Sequence, residues 1–362
     1  MRKNVIFLLF PLLFGSYYQD SINTKNLNFS AASNSDSILT VSILFAGDIM
    51  MHMPQINAAA TDSGYNFDSV FVFIKDIVTN CDIAVCNLET TLAGQPYSGY
   101  PQFSAPDALI DALKNNGFDV IATANNHSAD RGLLGMTRTI DVIQEKGLAW
   151  MGTYQNQLQR DSLYPLMIEK NGIKLAFLNA TYGTNGLPVP APTLVNSLDT
   201  NELNTDLLKA SKSNIVIPFL HWGLEYQRKQ NAEQEQLAKW FFGKGMKQIV
   251  GSHPHVVQEL GFVKHNNDSF FVAYSLGNFV SNQRERYKWS GIMVKLNFEK
   301  YLNSGTTKMV GYDVIPYHVH KTSYPVKYYI LPLPIAADSM NISLPDTMLL
   351  NESLKDNLQQ IK

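Results

Sequence analysis

Five short segments of the sequence carry side chains that bind metal ions or move protons. They are Gly47-Asp48, Asn87-Leu88-Glu89, Asn125 through Asp130, His221-Trp222-Gly223 and Ser252-His253-Pro254-His255. Of the 8 histidines in the chain, His127, His221, His253 and His255 fall in these segments. Each segment is weak evidence alone: Gly-Asp after a strand is ordinarily a turn, and Asn-Asn-His a loop with a half-exposed imidazole. His-x-His is sharper, because side chains two apart on an extended chain face the same way, and Pro254 disfavours helical geometry at His253. Taken together, Asp48, Glu89, Asn126, His221, His253 and His255 make a donor set of imidazoles, carboxylates and one amide oxygen, without thiolate. Such a set suits Mn, Fe or Zn in a hydrolytic site, and is poor for a structural zinc or an iron–sulfur cluster. Six donors exceed one tetrahedral shell, so the expectation is two divalent ions about 3.5–4 Å apart, with Glu89 the natural bridge.

The elements that must position these groups can be read in outline. Val41 to Ala46 is a β-rich apolar run that ends at Gly47-Asp48, and Asp82 to Asn87 is a second one ending at Glu89. Phe118 to Thr123 is a third, closing on Asn125-Asn126-His127, and strands follow at Leu148 and Gln248 to Val250. Amphipathic stretches at 67–78, 108–115, 133–146 and around Trp240 lie between them, and several stop at a glycine (Gly117, Gly147, Gly245). Alternating strands and helices argue for an α/β layered domain with largely parallel pairing. In such a sheet, ligands gather where the C-terminal ends of strands meet the following loops. After residue 256 the runs 269–276, 292–298 and 312–320 read as consecutive strands of a second sheet. Residues 332–362 receive no structure and are set apart as a C-terminal tail.

With 29 basic against 31 acidic residues and no Lys/Arg run, the charge balance argues against nucleic acid and anionic membrane surfaces as partners, while a metal cluster could still grip a polyanion. Arg2 and Lys3 precede an apolar run from Val5 to Phe14, about half of what a bilayer-spanning helix needs. It reads as an export signal or N-terminal anchor (residues 1–16), the other reading being a buried helix of the fold. Residues 17–40 are rich in Ser and Asn and read as a flexible linker, and residues 41–331 as one domain. The expected location is therefore outside the cytoplasm: periplasmic, at the cell surface, or membrane-anchored. Cys81 and Cys86, five apart on an extended run, would lie about 16 Å from each other, beyond disulfide reach.

The ordered motifs GDIM, NLET, ANNHSADRGLLG, HWGLEY, GSHPHVVQ and YSLGNF resemble the CapA family of bacterial capsule proteins, associated with poly-γ-glutamate synthesis. That family is similar to the calcineurin-like metallophosphoesterases, and the resemblance spans about residues 41–300. It implies a four-layer α/β/β/α sandwich, two mixed β-sheets flanked by helices, with the metals at the sheet edge. By that resemblance Asp48 and His255 serve a first ion, Asn126, His221 and His253 a second, and Glu89 bridges. His127 would protonate the leaving group, with Asp130 orienting it. Three departures accompany this. Met50 stands where metallophosphoesterases have His, the second acid sits in Asn-Leu-Glu rather than Gly-Asp, and Ser128 replaces the usual acid after the catalytic His. The first site is thus short of a ligand and expected to be weak or empty. His52 could substitute, although a plain loop histidine is the better reading.

Further expectations concern the cleft. Asn125, Trp222, Glu225, Asn278 and Tyr100 are candidate substrate contacts, with core packing the equal alternative for Trp222. Tyr226 could line the cleft, and Tyr97, Tyr100 and Phe103 lie in a Gly/Pro-rich loop that could rim it. Tyr274, Ser275 and Gly277 would support the site from behind, while His318 and His320 read as structural. The resemblance implies a hydrolase-type enzyme of the cell envelope, in which a dinuclear metal-activated hydroxide attacks a phosphoryl or carbonyl centre. Its partner would be an anionic polymer, a small phosphoester or a γ-glutamyl substrate, in the setting of a capsule-synthesis complex. Two rivals predict the same motifs: a non-catalytic envelope component that binds polymer or partners through a degenerate metal cleft, and an amide-bond enzyme acting on γ-glutamyl polymer.

Overall fold

The computed structural model describes residues 37–266, 268–334 and 344–362. The expected export signal lies outside the described residues, as does the linker as far as residue 36. Residues Ser37–Lys362 form one compact unit. Its longer strands are, in chain order, β1 (Ile38–Ile49), β2 (Ile83–Leu88), β3 (Val120–Ala122), β4 (Ala149–Met151), β5 (Leu166–Lys170), β6 (Ile173–Thr181) and β7 (Ile215–His221). Then follow β8 (Gln248–Ser252), β9 (Leu260–His265), β10 (Asp268–Ala273), β11 (Asn278–Val280), β12 (Ser290–Tyr301), β13 (Thr307–Lys321) and β14 (Tyr328–Pro332). One sheet runs β14-β13-β12-β1-β2-β3-β4, with β11 also paired to β1. The other runs β9-β10-β8-β7-β6-β5.

Both sheets are mixed, and three apolar layers hold them. Ile43 and Phe45 of β1 pack with Phe177, Phe219 and Val250 between the sheets. Leu44 and Ala46, on the opposite face of the same strand, pack under Leu109, Leu113 and Ile143 of the helices α1 (Ala108–Asn115) and α2 (Gly132–Glu145). On the far side of the second sheet, Leu178 and Leu220 meet Leu203 of α3 (Thr200–Ala210) and Phe241 of α4 (Ala232–Gly243). This is the four-layer α/β/β/α sandwich expected. Because β1 is covered on both faces, its apolar residues are consecutive rather than alternating, and each such buried side chain contributes about 2 kcal/mol.

The first sheet is parallel where it matters. β1 pairs β2 in parallel register up to Asp48↔Asn87 and Ile49↔Leu88, with a bulge between Ala46 and Asp48. In the second sheet β7 pairs β8 in parallel and ends on His221↔Ser252. The bulge needs Gly47: a Cβ there would stand 2.0 Å from the Gly277 carbonyl oxygen. Gly47→Ala is therefore expected to lower stability by about 1–3 kcal/mol, read as a lower urea midpoint at an unchanged slope. An unchanged midpoint would show that the two backbones separate without cost.

Three differences from the sequence reading have physical causes. The apolar stretch 67–78 is not one helix but two short ones, Asp68–Phe71 and Lys75–Thr79, joined by a turn. β1 begins at Ile38, inside the segment read as linker, because antiparallel β12 reaches back to pair Ile38 with Tyr301. The expected tail contains a helix, α5 (Leu344–Leu358), and Ile361 bridges to Leu260. That helix shows little apolar periodicity because its buried positions include Ser353, Asp356 and Asn357. Arg286 holds Asp356 through two hydrogen bonds of 2.9 Å, and His318 Nδ1 lies 2.9 Å from Ser353 Oγ. His318 thus has a structural partner away from the metal-type cluster. Cys81 and Cys86 are both free, the latter fully buried in the layer between the first sheet and its helices. Among the described residues no helix is long and apolar enough to cross a membrane.

Candidate metal centre

The C-terminal ends of β1, β2 and β7 and the loops after β3 and β8 converge at one end of the sandwich. Asp48, Glu89, Asn126 and His221 are fully buried there, with His127, His253 and His255 nearly so. His255 Nδ1 lies 3.2 Å from Asp48 Oδ2, and His255 Nε2 lies 3.6 Å from Glu89 Oε1. The same Glu89 oxygen is 3.8 Å from His221 Nε2, which itself sits 2.7 Å from Asn126 Oδ1. Two sets of donor atoms lie within 4.8 Å of one another, Glu89–His253–His255 and Asp48–Glu89–His221. Glu89 belongs to both.

The arrangement suits a cation better than it suits the bare protein. Both Glu89 oxygens are buried and accept no hydrogen bond, and His253 Nδ1 is likewise unpartnered. Burial, and after it the neighbouring Asp48 carboxylate, pushes the Glu89 acid well above the usual carboxylate range. Burial, then the surrounding imidazoles, pulls His221 well below the usual histidine range. Burial also lowers His253 to about 3. Imidazoles held neutral, one of them with an unpartnered nitrogen, around an unsatisfied carboxylate are what a divalent ion requires. The donor set of oxygen and nitrogen atoms fits Mn, Fe or Zn.

His253 and His255 reach the cluster by a route other than the one expected. The segment is not extended: φ is +103° at His253 and +57° at His255. Both residues occupy left-handed backbone, uncommon for side-chain-bearing residues and found mainly at functional sites. The turn is secured by the backbone N–H of His253, which donates to Asp48 Oδ2 at 3.2 Å, and by Tyr226 N–H, which donates to Pro254 O at 2.7 Å.

Beside the donors stands a dyad. His127 Nδ1 lies 2.8 Å from Asp130 Oδ2, which also accepts from the backbone N–H of Phe103 at 2.7 Å. Ser128 spends its hydroxyl on the loop, accepting from Asn125 N–H at 2.8 Å. Phe103 packs edge-on against His127 at 4.7 Å and against His52 at 5.2 Å. Tyr100, 75% exposed, forms the outer rim next to Phe103.

The remaining expected contacts divide. Asn125 is fully buried and its amide is engaged by the surrounding loops. Its side-chain N–H groups go to Leu88 O at 2.8 Å and Asn87 Oδ1 at 3.2 Å, and its Oδ1 accepts from His127 N–H at 3.1 Å. Trp222 is nearly fully buried and donates from Nε1 to Tyr274 O at 2.8 Å, so core packing holds most of it. Its remaining edge helps line a cavity of about 290 Å³ with Tyr182, Glu225 and His253, where Glu225 is exposed. Asn278 is buried beside Asp48 rather than open to the cleft. His52 keeps Nδ1 within 3.2 Å of Gln55 Oε1 at the start of the Met53–Ala58 helix, outside both donor sets.

Two residues were not singled out from the sequence. Asn87 donates to Asp48 Oδ1 at 2.7 Å and so aims that carboxylate. Its place at a strand end beside Glu89 was the available signal. Tyr182 tilts over His253 at 4.6 Å and stacks parallel to His221 at 6.4 Å, and no spacing pattern marks it.

Fold and site together define the class: a two-sheet α/β/β/α sandwich with a buried carboxylate–imidazole centre at its strand ends. Residues 42–283 match the model of the bacterial capsule synthesis protein PGA_cap, and the chain belongs to that family. It is 28% identical over 301 residues to a capsule biosynthesis protein CapA of Bacillus anthracis, covering 78% of this chain and 68% of the relative. It is 27% identical over 343 residues to a PGA biosynthesis protein CapA of Bacillus subtilis, covering 92% and 82%. Among solved structures it is similar to the calcineurin-like phosphoesterase YfkN from Bacillus subtilis, at 14% identity and a TM-score of 0.45, covering 77% and 91%. A phosphatase from Mycoplasma pneumoniae gives 17% identity and a TM-score of 0.45, covering 77% and 94%.

Proposed function

We propose that the protein is an exported, metal-dependent hydrolase-like component of capsule or poly-γ-glutamate production, acting on a phosphoester or γ-glutamyl bond. The observation that carries this reading is Glu89, whose two unpartnered, buried oxygens stand where the two donor sets overlap. Asp48, His255 and Glu89 would hold one divalent ion, and Asn126, His221, His253 and Glu89 the other. Ions so held supply Lewis acidity toward a phosphoryl or carbonyl oxygen and toward water.

The chain's own residues do the rest. Asp130, fixed by the Phe103 N–H, holds one proton on His127 Nδ1, so that the ring carrying a second proton on Nε2 can hand that one to the departing oxygen or nitrogen and return to the neutral imidazole. Phe103 shields that pair from water on one side. Asn87 and Asn125 hold Asp48 and the His127 loop in register through linked amides. Tyr182 covers His253 and His221, and the adjoining cavity offers room for the group attached to the reacting centre.

The test is metal analysis of purified protein, followed by release of phosphate from phosphoesters and cleavage of γ-glutamyl peptides. The expected result is two ions per chain and turnover of one substrate class that chelation abolishes and added Mn or Zn restores. Bound ions without turnover of either class would favour the binding component. Protein that neither holds ions nor turns over either class would end the metal-site reading.

A further inference from the structure

Within the two-ion reading just given, the first site lacks the donor that related sites take from the position of Met50. Met50 is buried, and a thioether is a poor ligand for a hard divalent ion. The structure offers a replacement from a different strand. β11 lies directly alongside this part of β1: Asp48 N–H donates to Gly277 O at 3.1 Å and Met50 N–H to Val280 O at 2.9 Å. Asp48 is registered in parallel with Asn278 on one side and with Asn87 on the other. Laterally paired residues of a parallel sheet project from the same face, with strands about 4.8 Å apart. The side chains of Asn87, Asp48 and Asn278 therefore stand in one row.

The two amides of that row are used differently. Asn87 turns its N–H toward Asp48. Asn278 turns its N–H groups away, to Gln283 Oε1 at 2.8 Å and to the backbone carbonyl of Lys288 at 2.9 Å. A backbone carbonyl can only accept, so the amide cannot be reversed, and Oδ1 is the side-chain atom left without a partner. That oxygen is buried, on a residue with 0% exposure, and meets no donor. An orphaned buried acceptor costs about 1–3 kcal/mol unless something positive approaches it. The adjoining loop closes over the same side of the centre: Gln283 Nε2 donates to Tyr226 Oη at 3.3 Å, and the Tyr226 ring lies 5.9 Å from the His255 ring.

We propose that Asn278 Oδ1 is a ligand of the first ion, completing with Asp48, Glu89 and His255 the shell that Met50 leaves short. The first site is then the mirror of the second, where Asn126 supplies the amide oxygen. His52 is engaged elsewhere, with Nδ1 3.2 Å from Gln55 Oε1 and 3.3 Å from the backbone N of Asn282.

The experiment titrates metal-free full-length protein with Mn, reading stoichiometry and affinity by calorimetry and by the Mn resonance signal. Wild type is expected to bind two ions. Asn278→Leu, which keeps the volume and removes the oxygen, should weaken one ion by at least about 10-fold and leave the other unchanged. Asn278→Asp, which puts a carboxylate at the same place, should tighten that same ion. Should the Leu variant not fold, the Asp variant still decides. Two ions bound with wild-type affinities in the folded variants would overturn the role of Asn278 and leave the two-ion reading standing. A wild type that binds no ion would overturn both.

Discussion

Glu89→Gln is expected to lose the ions of both sites, while its metal-free form is more stable than metal-free wild type. The two effects have one source. Glu89 belongs to both donor sets and to both proposed shells, so neutralising it weakens each shell at once. Without a cation the same carboxylate is buried, unpartnered and close to Asp48, which raises its proton affinity well above that of an exposed glutamate. A folded-state value raised above the unfolded 4.5 means that the folded chain binds more protons between that pH and the raised value. Metal-free wild type should therefore lose stability as pH rises from about 4.5 through that window, and the Gln variant should lack this slope. At neutral pH the gain should be about 1–3 kcal/mol, the cost of an unsatisfied buried polar group. Thermal unfolding with and without chelator, across pH, checks both halves. A Gln variant that keeps its ions, or whose metal-free form is less stable than wild type, would remove Glu89 from the centre of the site.

His127→Ala should leave the ions bound and the fold unchanged while cutting turnover by roughly 10²–10⁴-fold, the usual scale for a lost general acid. The imidazole is a neighbour of the donor sets and not a member of either, and its ion-pair partner is Asp130. Substrates with a good leaving group need less protonation, so the loss should shrink as the leaving group becomes more acidic. Asp130→Asn should lower turnover less, because Phe103 N–H and the loop bonds of Asn125 and Ser128 still place the ring. Rates for a series of aryl esters, with metal content measured on the same samples, check this. An equal loss across the series would assign His127 to orientation rather than proton transfer.

How far such roles can be read without coordinates differs from residue to residue. The sequence by itself determined the alternation of strand and helix, because β1, β2 and β3 are consecutive apolar runs each ended by Gly, Asn or Asp. It also determined which side chains stand at the strand ends, since a short loop follows each run. Asp48, Glu89, Asn126, His127, Asp130, His221, His253 and His255 were all legible for that reason: each sits at a fixed offset from a run of buried residues. The link between His127 and Asp130 was legible too, three residues apart in one loop.

Only the tertiary structure decided how the two sheets bring those ends together, a matter of contacts between positions as distant as Asp48 and His255. It replaced the extended His-Pro-His with two left-handed residues, which local propensity disfavours and only packing against Asp48 and Tyr226 enforces. It engaged the Asn125 amide with the surrounding loops and set Asn278 beside Asp48, because hydrogen-bond partners are chosen by neighbours in space. It also found α5, whose buried positions include Ser353, Asp356 and Asn357 and therefore leave little apolar period to read. Hydrophobic patterning encodes which face of an element is covered by apolar groups. A polar side chain acquires its role from the atoms that surround it, and those are assembled only when the chain is folded.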